Sequence, residues 1–352
     1  MGNHPTIRDV ATYAGVSTRT VSRVLNDSSA VAQGTRDRVL AAIRAMKFHP
    51  STIARSLATR HRGAIGLIFP APLDFVMSDP FLAATTGAIA HRASVAGYHL
   101  LIIHAGEMGN NEDAYLPVLV NHEVDGVVVL GIHEDSRVAA QLQTGRQPYV
   151  LLDFPEEPWQ GVSYVDCDNE DGGFQAACHL AELGHRVIGL VDGPANSIAA
   201  KRRRAGFLRG LAAYGLGLSE EFIVAGDFTE SSGYCAGREL LRQTRRPTAL
   251  FVLNDRMAFG VLSAARALGM RMPEDLSIVG FDDIDLAQFA APPLTTVRQD
   301  ARQMGELATD LLLALIAGES PRQREIIVPV SLVVRGSTAR PGVVAGKEVV
   351  SG

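Results

Sequence analysis

The run STRTVSR, Ser17 to Arg23, places Thr18, Arg19, Ser22 and Arg23 along one side of a helical wheel. An arginine there can fork onto O6 and N7 of a guanine, and a threonine can meet a base edge or a thymine methyl. Ser17 and Thr20 suit helix caps or phosphate contacts, and Thr6 upstream suits the same two uses. A second set of polar residues follows apolar runs. Asp153 follows YVLL, Asn254 and Asp255 follow ALFVL, and Asp282 and Asp283 follow LSIVGF. Ser78–Phe81 comes after the first such run, and Arg203 opens the helix after Val187–Asp192. Carboxylates, an amide and a guanidinium brought together suit a neutral, hydroxyl-rich ligand, since Asp and Asn exchange hydrogen bonds with neighbouring hydroxyls and Arg forks across two.

The first set needs helices to present it. Thr6 can cap a helix with Asp9 as its partner three residues on, and Ile7, Val10, Ala11 and Ala14 then share a face. Gly15 supplies a tight turn, Ser17 a second cap, and Val21, Val24 and Leu25 a second apolar face. A third helix is expected over Thr35–Met46 with Val39, Leu40, Ile43 and Met46 inward. This is the pattern of a helix-turn-helix, whose second helix enters the major groove. A small three-helix core with a solvated basic face has the same spacing.

The second set needs strands. Residues 64–69, 98–104, 126–130, 148–152, 187–192, 249–253 and 276–281 read as almost continuously apolar strands. Amphipathic helical stretches lie between them, at 81–94, 171–182, 203–214 and 256–268. Strand–helix alternation with doubly covered strands means parallel βαβ sheets, and there are enough strands for two similar halves. Ligands of such sheets bind beyond the carboxyl ends of the strands, where the second set falls. Asp283 and Asp285 equally suit caps of a following helix. Lys201, Arg202 and Arg204 read as a solvated run around an inward Arg203. Phe228 suits either a ligand wall or ordinary core. Asp166 and Asp168 suit strand-end caps flanking a buried Cys167 rather than a metal cluster, because alternation puts the thiol on the opposite face.

Charge separates the two sets. Residues 1–62 hold ten Lys/Arg and three acids, a balance of +7, and the remainder carries −12, giving the −5 of the 352-residue chain. A basic head on an acidic body points to a polyanion met by the head alone. The chain is 47% apolar and 20% charged, with no run long enough to span a membrane and no apolar core of a signal peptide near Met1. Three dispersed cysteines and four scattered histidines, His104, His133, His179 and His185, form no zinc or disulfide pattern. A cytoplasmic protein without cofactor or metal is expected. Neither a phosphate loop, nor a dinucleotide fingerprint, nor a nucleophile elbow is present, which weighs against an enzyme on this body.

The segments IRDVATYAGVSTRTVSRVLN and VAQGTRDRVLAAIRAMKFHPSTIARSLATR resemble the N-terminal region of the lac-repressor/galactose-repressor family of bacterial transcription regulators. The likeness continues through HRGAIGLIFP, VDGVVVLG, LGHRVIGLVDGP, RRAGF, RPTALFVLNDRMAFG, MPEDLSIVGFDD and PPLTTVRQD, over about residues 5 to 340. The resemblance implies a helix-turn-helix headpiece at 1–49, a hinge helix and linker at 50–62, and an α/β core at 63–340 of the periplasmic-binding-protein type. It implies two doubly wound parallel-sheet subdomains, placed here at 63–161 with 293–328 and at 162–292 with 329–340, with three chain crossings near Val162, Pro292 and Pro329. The tail 341–352 is expected to be disordered.

The same resemblance implies roles for residues. Arg203 matches an arginine that anchors the effector, Asp153, Asn254 and Asp282 match positions that hold sugar hydroxyls, Phe81 and Leu82 match a pair bordering the effector, and Phe228 matches an aromatic against the ligand ring. In the hinge, Ala54 matches a small residue at the approach of two helices, Arg55 lies near phosphates, and Leu57 matches a leucine wedged into the minor groove. The function implied is a DNA-binding repressor acting as a homodimer on a pseudo-palindromic operator, controlled by a sugar-like small molecule. A periplasmic-type sugar-binding protein or an enzyme on the same body are the alternatives.

Overall fold

The computed structural model describes residues 5–25, 30–48, 61–69, 72–104, 116–131, 137–145, 147–152 and 161–342. They fall into two compact units, divided after Gly63. Ala54, Arg55 and Leu57 of the expected hinge, Asp153, and the tail beyond Gly342 lie outside the described residues.

The first unit holds α1 (Ile7–Ala14), α2 (Thr18–Leu25) and α3 (Gln33–Ala45). Thr6 and Asp9 form a reciprocal capping box: Thr6 N donates to Asp9 Oδ2 at 2.7 Å, and Asp9 N donates to Thr6 Oγ1 at 3.4 Å. Gly15 ends α1 in the left-handed region, φ 62°, where a side chain would be strained. The chain then turns to Ser17, whose Oγ accepts from Thr20 N at 3.1 Å. Val10, Ala11, Ala14, Val21, Val24, Val39, Ala42 and Phe48 close a small core. Leu40 departs from expectation and is exposed. Val39 and Ala42, three residues apart, set the inward face of α3, and Leu40 lies about a quarter-turn round from Val39.

The second unit has two six-stranded sheets among the described residues. The first contains β1 (Ala64–Phe69), β2 (His99–His104), β3 (Gly126–Leu130), β4 (Tyr149–Leu152), β5 (Tyr164–Cys167) and β11 (Glu325–Val328). The second contains β6 (Ile188–Asp192), β7 (Ile223–Ala225), β8 (Ala249–Val252), β9 (Ser277–Asp282), β10 (Thr295–Arg298) and β12 (Ser331–Val333). Their orders are β11-β5-β4-β3-β1-β2 and β12-β10-β9-β8-β6-β7. All pairings are parallel except β12 against β10. Without the late edge strands β11 and β12, both sheets follow one doubly wound order, with switch points between β1 and β3 and between β6 and β8. Both faces of the first sheet are covered: Ile65, Leu67 and Phe69 join one buried cluster, Ile68, Val127 and Val129 the other. That double burial is why these strands read as unbroken apolar runs.

The helices sort with the sheets. Pro80–Val95 and Ala301–Ile316 pack together on the first sheet and form the first lobe with it. Asn169–Glu182, Ile198–Ala213, Glu230–Leu241 and Asp255–Ala267 belong with the second sheet, the second lobe. Two crossings lie later than expected. β5 still belongs to the first sheet, so the chain leaves after Cys167 and not near Val162. β10 still belongs to the second, so the return follows Arg298 and not Pro292. Pro292 and Pro293 lead into β10 within the second lobe and are not a border. The third crossing lies between Val328 and Ser331. Among the described residues no helix is long and apolar enough to cross a membrane.

Helices Asn169–Glu182 and Ile198–Ala213 meet backbone to backbone. A Cβ on Gly206 would overlap the carbonyl oxygen of Glu170, and one on Gly173 that of Arg203. Gly206→Ala must therefore push apart the helices that set Arg203. We expect a loss of ~1–3 kcal/mol from such overpacking, read as a lower melting temperature; an unchanged melting temperature would refute the close approach.

Candidate functional site

In the first unit, Thr18, Arg19 and Arg23 are exposed and Ser22 is half-buried, on the side of α2 away from buried Val21 and Val24. Ser17 and Thr20 bond to one another, Oγ to Oγ1 at 2.9 Å, as a helix-start cap. The exposed side of α2 thus rests on a capped, glycine-turned start and a two-valine anchor. Thr6 is spent on its capping box.

In the second unit the two lobes enclose a cavity of about 190 Å³. Phe75, Asp79, Phe81, Leu82 and Thr85 line it from the first lobe, with Leu130 and Leu152 at the carboxyl ends of β3 and β4. Ser197, Arg203, Phe228, Asn254 and Asp282 line it from the second lobe, and Gln299 and Met304 flank the return crossing. Phe81, Leu82, Arg203, Phe228, Asn254 and Asp282 are therefore brought together, whereas Asp255 and Asp283 do not line the cavity.

Arg203 is buried and held from four sides. Its Nε donates to Asn169 Oδ1 at 2.8 Å, and Nη1 donates to the carbonyl of Leu253 at 2.6 Å. Nη1 lies 3.6 Å from Asp282 Oδ1, and the guanidinium stacks 3.7 Å from the Phe281 ring centroid. Nη2 takes part in none of these contacts. Asn169 also donates to Asp166 Oδ1 at 3.0 Å, so a polar chain runs from Arg203 to β5 of the first lobe. Arg202 and Arg204 are not merely solvated. Arg202 Nη1 lies 3.5 Å from Asp166 Oδ2, and Arg204 Nη1 donates to Asp192 Oδ2 at 3.0 Å.

Asp282 sits beside this arginine and accepts from Gln299 Nε2 at 2.6 Å. Burial raises its pKa to about 7; Arg203 opposes the rise and Asp79 adds to it. Asp255, fully buried, is pushed well above the usual carboxylate range, first by burial and then by Asp282. It accepts from Thr296 Oγ1 at 2.6 Å and Ile284 N at 3.0 Å, which is structural work. Asp283 is no helix cap: Arg298 and Arg335 each donate to it at 2.6 Å. Asn254 caps helix Asp255–Ala267 by accepting from Met257 N at 2.9 Å, and donates to the carbonyl of Phe228 at 3.1 Å. It therefore offers a ligand less than its position suggested.

Backbone strain gathers here. Phe228 (φ 68°), Asp282 (φ 114°) and Asp283 (φ 56°) occupy the left-handed side of φ, which disfavours side chains. Each such residue costs ~1–3 kcal/mol and tends to mark a ligand site held by its surroundings. Asn254 and the Arg298–Arg335 pair are the surroundings that hold them. Gln299, Phe75, Ser197 and Asn169 escaped the sequence reading. Gln299 would have followed from the strand-end rule had TTVR been read as a strand.

Such a chain, a helix-turn-helix unit followed in sequence by paired lobes around a polar-ended cleft, is that of a ligand-responsive DNA-binding regulator. The model for bacterial regulatory proteins of the lacI family matches residues 6–51, and that for a periplasmic binding protein-like domain matches residues 177–338. The HTH-type transcriptional repressor PurR of Erwinia tasmaniensis is 36% identical over 335 residues, 95% of this chain and 97% of that one. A solved transcriptional regulator CelR–cellobiose complex is 33% identical, with TM-score 0.73, covering 95% of this chain and 99% of that one. The lac repressor dimer bound to operator and the anti-inducer ONPF is 30% identical, with TM-score 0.83, covering 96% and 100%. The chain belongs to the lacI family of bacterial regulatory proteins. It is a transcriptional regulator and not an enzyme.

Proposed function

We propose that the protein is a repressor that binds a pseudo-palindromic operator as a homodimer and is controlled by a small neutral ligand in the cavity. The observation that carries the DNA reading is α2, whose Thr18, Arg19, Ser22 and Arg23 stand opposite its buried valines. Thr18, Arg19, Ser22 and Arg23 read bases in the major groove, while Thr6, Ser17 and Thr20 start their helices beside phosphates. Ala54, Arg55 and Leu57 contact the minor groove and its phosphates. The lac repressor's dimer–operator complex, similar over nearly the whole chain, supports this assembly. Leu286 and Phe289, 58% and 76% exposed on one 3₁₀ turn, give a second copy an apolar surface to cover.

The effector is a sugar or sugar derivative. A dry cavity of about 150 Å³ accepts a benzene ring, so about 190 Å³ suits a single ring. Arg203 Nη2 donates to adjacent ring hydroxyls, Asp282 and Asp153 accept from them, Asn254 offers its remaining amide proton, and Phe81, Leu82 and Phe228 pack on the ring. The cellobiose complex of CelR supports a carbohydrate, of which this cavity suits one ring. Ligand binding acts through its differential affinity for the DNA-competent state.

Arg19→Ala tests the assignment. Selection of binding sites from random duplexes should show one base of each half-site relaxed, with ~1–3 kcal/mol lost there. Affinity of the unaltered protein should also fall steeply with salt as phosphates release counterions. An unchanged selected motif, or a flat salt dependence, would remove α2 from the operator.

A further inference from the structure

Arg256 lies on the second-lobe helix Asp255–Ala267 and is 8% exposed. Its Nε and Nη2 fork onto Glu230, at 2.9 and 2.7 Å. Its remaining nitrogen, Nη1, is buried and makes no hydrogen bond among the described residues. Across the cleft, Asp79 Oδ2 lies 3.6 Å from that nitrogen. Asp79 is buried too, and its Oδ1 starts the first-lobe helix by accepting from Phe81 N at 3.0 Å and Leu82 N at 3.1 Å. Phe81, Leu82 and Phe75 wall the cavity, and the Phe75 ring centroid is 6.0 Å from the guanidinium carbon.

A buried donor left unpaired is unfavourable, and a charge-assisted bond forms at about 2.7–2.9 Å. Closing the 3.6 Å gap needs a movement of the lobes of under about 1 Å. Opening them instead parts the guanidinium nitrogen from the carboxylate oxygen. We propose that Arg256 is a positioning residue for the cavity: anchored on Glu230 in the second lobe, it clasps Asp79 in the first and biases the cleft toward its closed form. It does not touch the ligand. It acts through Asp79, which fixes the helix turn carrying Phe81 and Leu82. A ligand that prefers the closed cleft then binds with an apparent affinity set by the fraction already closed. That consequence rests on the reading of the cavity as an effector site; the clasp itself does not, so it is tested without ligand.

The full-length chain carries spin labels on native Cys235, exposed in the second lobe, and on Val95→Cys, exposed in the first, in a Cys178→Ala background. Labelled chain is diluted into unlabelled chain so that one pair reports per dimer. Pulsed dipolar spectroscopy then gives the distance between lobes. R256Q and D79N should each populate a longer distance, and the double variant should go no further than either alone. R256K, which keeps the charge, should restore part of the short distance. D79N preserves the helix start because Asn caps as well as Asp, and melting curves confirm that each variant folds. Unchanged distances in both single variants, or a change with R256Q alone, would overturn the clasp. If the clasp holds and cellobiose, ribose and a wider sugar panel leave the melting temperature unmoved, the effector reading fails and the clasp stands.

Discussion

Arg203→Ala is expected to abolish the effector response, to leave operator binding in place, and to cost the fold ~3–5 kcal/mol, the usual penalty for breaking a buried ion pair. The side chain is buried against Asn169, the carbonyl of Leu253, Asp282 and the Phe281 ring, so its loss empties the floor of the cavity and, at alkaline pH, strands a carboxylate. Two readouts separate stability from recognition. Adding Asp282→Asn removes the stranded charge and should recover much of the melting temperature. It should not recover induction or corepression in a reporter assay, because the Nη2 donor proposed to meet ligand hydroxyls is gone. A normal response from Arg203→Ala, or full functional rescue by the second change, would show that Arg203 only supports the fold.

The second large effect is one of pH. Asp282 titrates at about 7 in the folded protein, against 3.8 for an ordinary Asp. An acid whose folded pKa is raised favours the folded state while both states are protonated. That stability is complete below about pH 4 and is lost as pH rises through about 7. At 1.36 kcal/mol per pKa unit the loss is ~4 kcal/mol. Asp282→Asn stays neutral and lacks this dependence. Its melting temperature should gain on the unaltered protein as pH climbs from 4 to 7, then keep a constant lead. A lead that shrinks across that window would mean the carboxylate is stabilised as an anion. Hydroxyls of a bound ligand donating to Asp282 favour the anion, so binding should tighten with pH over the same range.

The order of legibility follows from physics. The strands β1, β3, β6, β8 and β9 were readable because burial leaves them almost uniformly apolar. β5 and β10, YVDC and TTVR, were not, because they mix polar residues into a four-residue run where β8, equally short, is wholly apolar. Missing them moved two crossings and hid Gln299. Asn254 and Asp282 are legible by position, because they follow apolar strands and ligands bind at such ends, whereas Leu82 and Phe228 follow only from the family resemblance. Their partners were invisible, since Asn169 reaches Arg203 across 34 positions and Arg256 reaches Asp79 across the cleft. Leu40 shows the limit of periodicity alone, because the same helical stretch allows two neighbouring inward faces and packing against Val21 and Val24 selects one.

The threading of the chain has a consequence for synthesis. Helix Ala301–Ile316 and β11 belong to the first lobe, yet the whole second lobe except β12 precedes them. A ribosome therefore releases a first lobe that still lacks a covering helix and an edge strand while the second lobe is already largely complete. β5, whose outer neighbour is β11, must wait for Glu325–Val328 before its edge is paired. During that interval an open strand edge is available to other chains. The lobe that begins first finishes late, and nascent chains arrested between the two crossings should be the most dependent on chaperones.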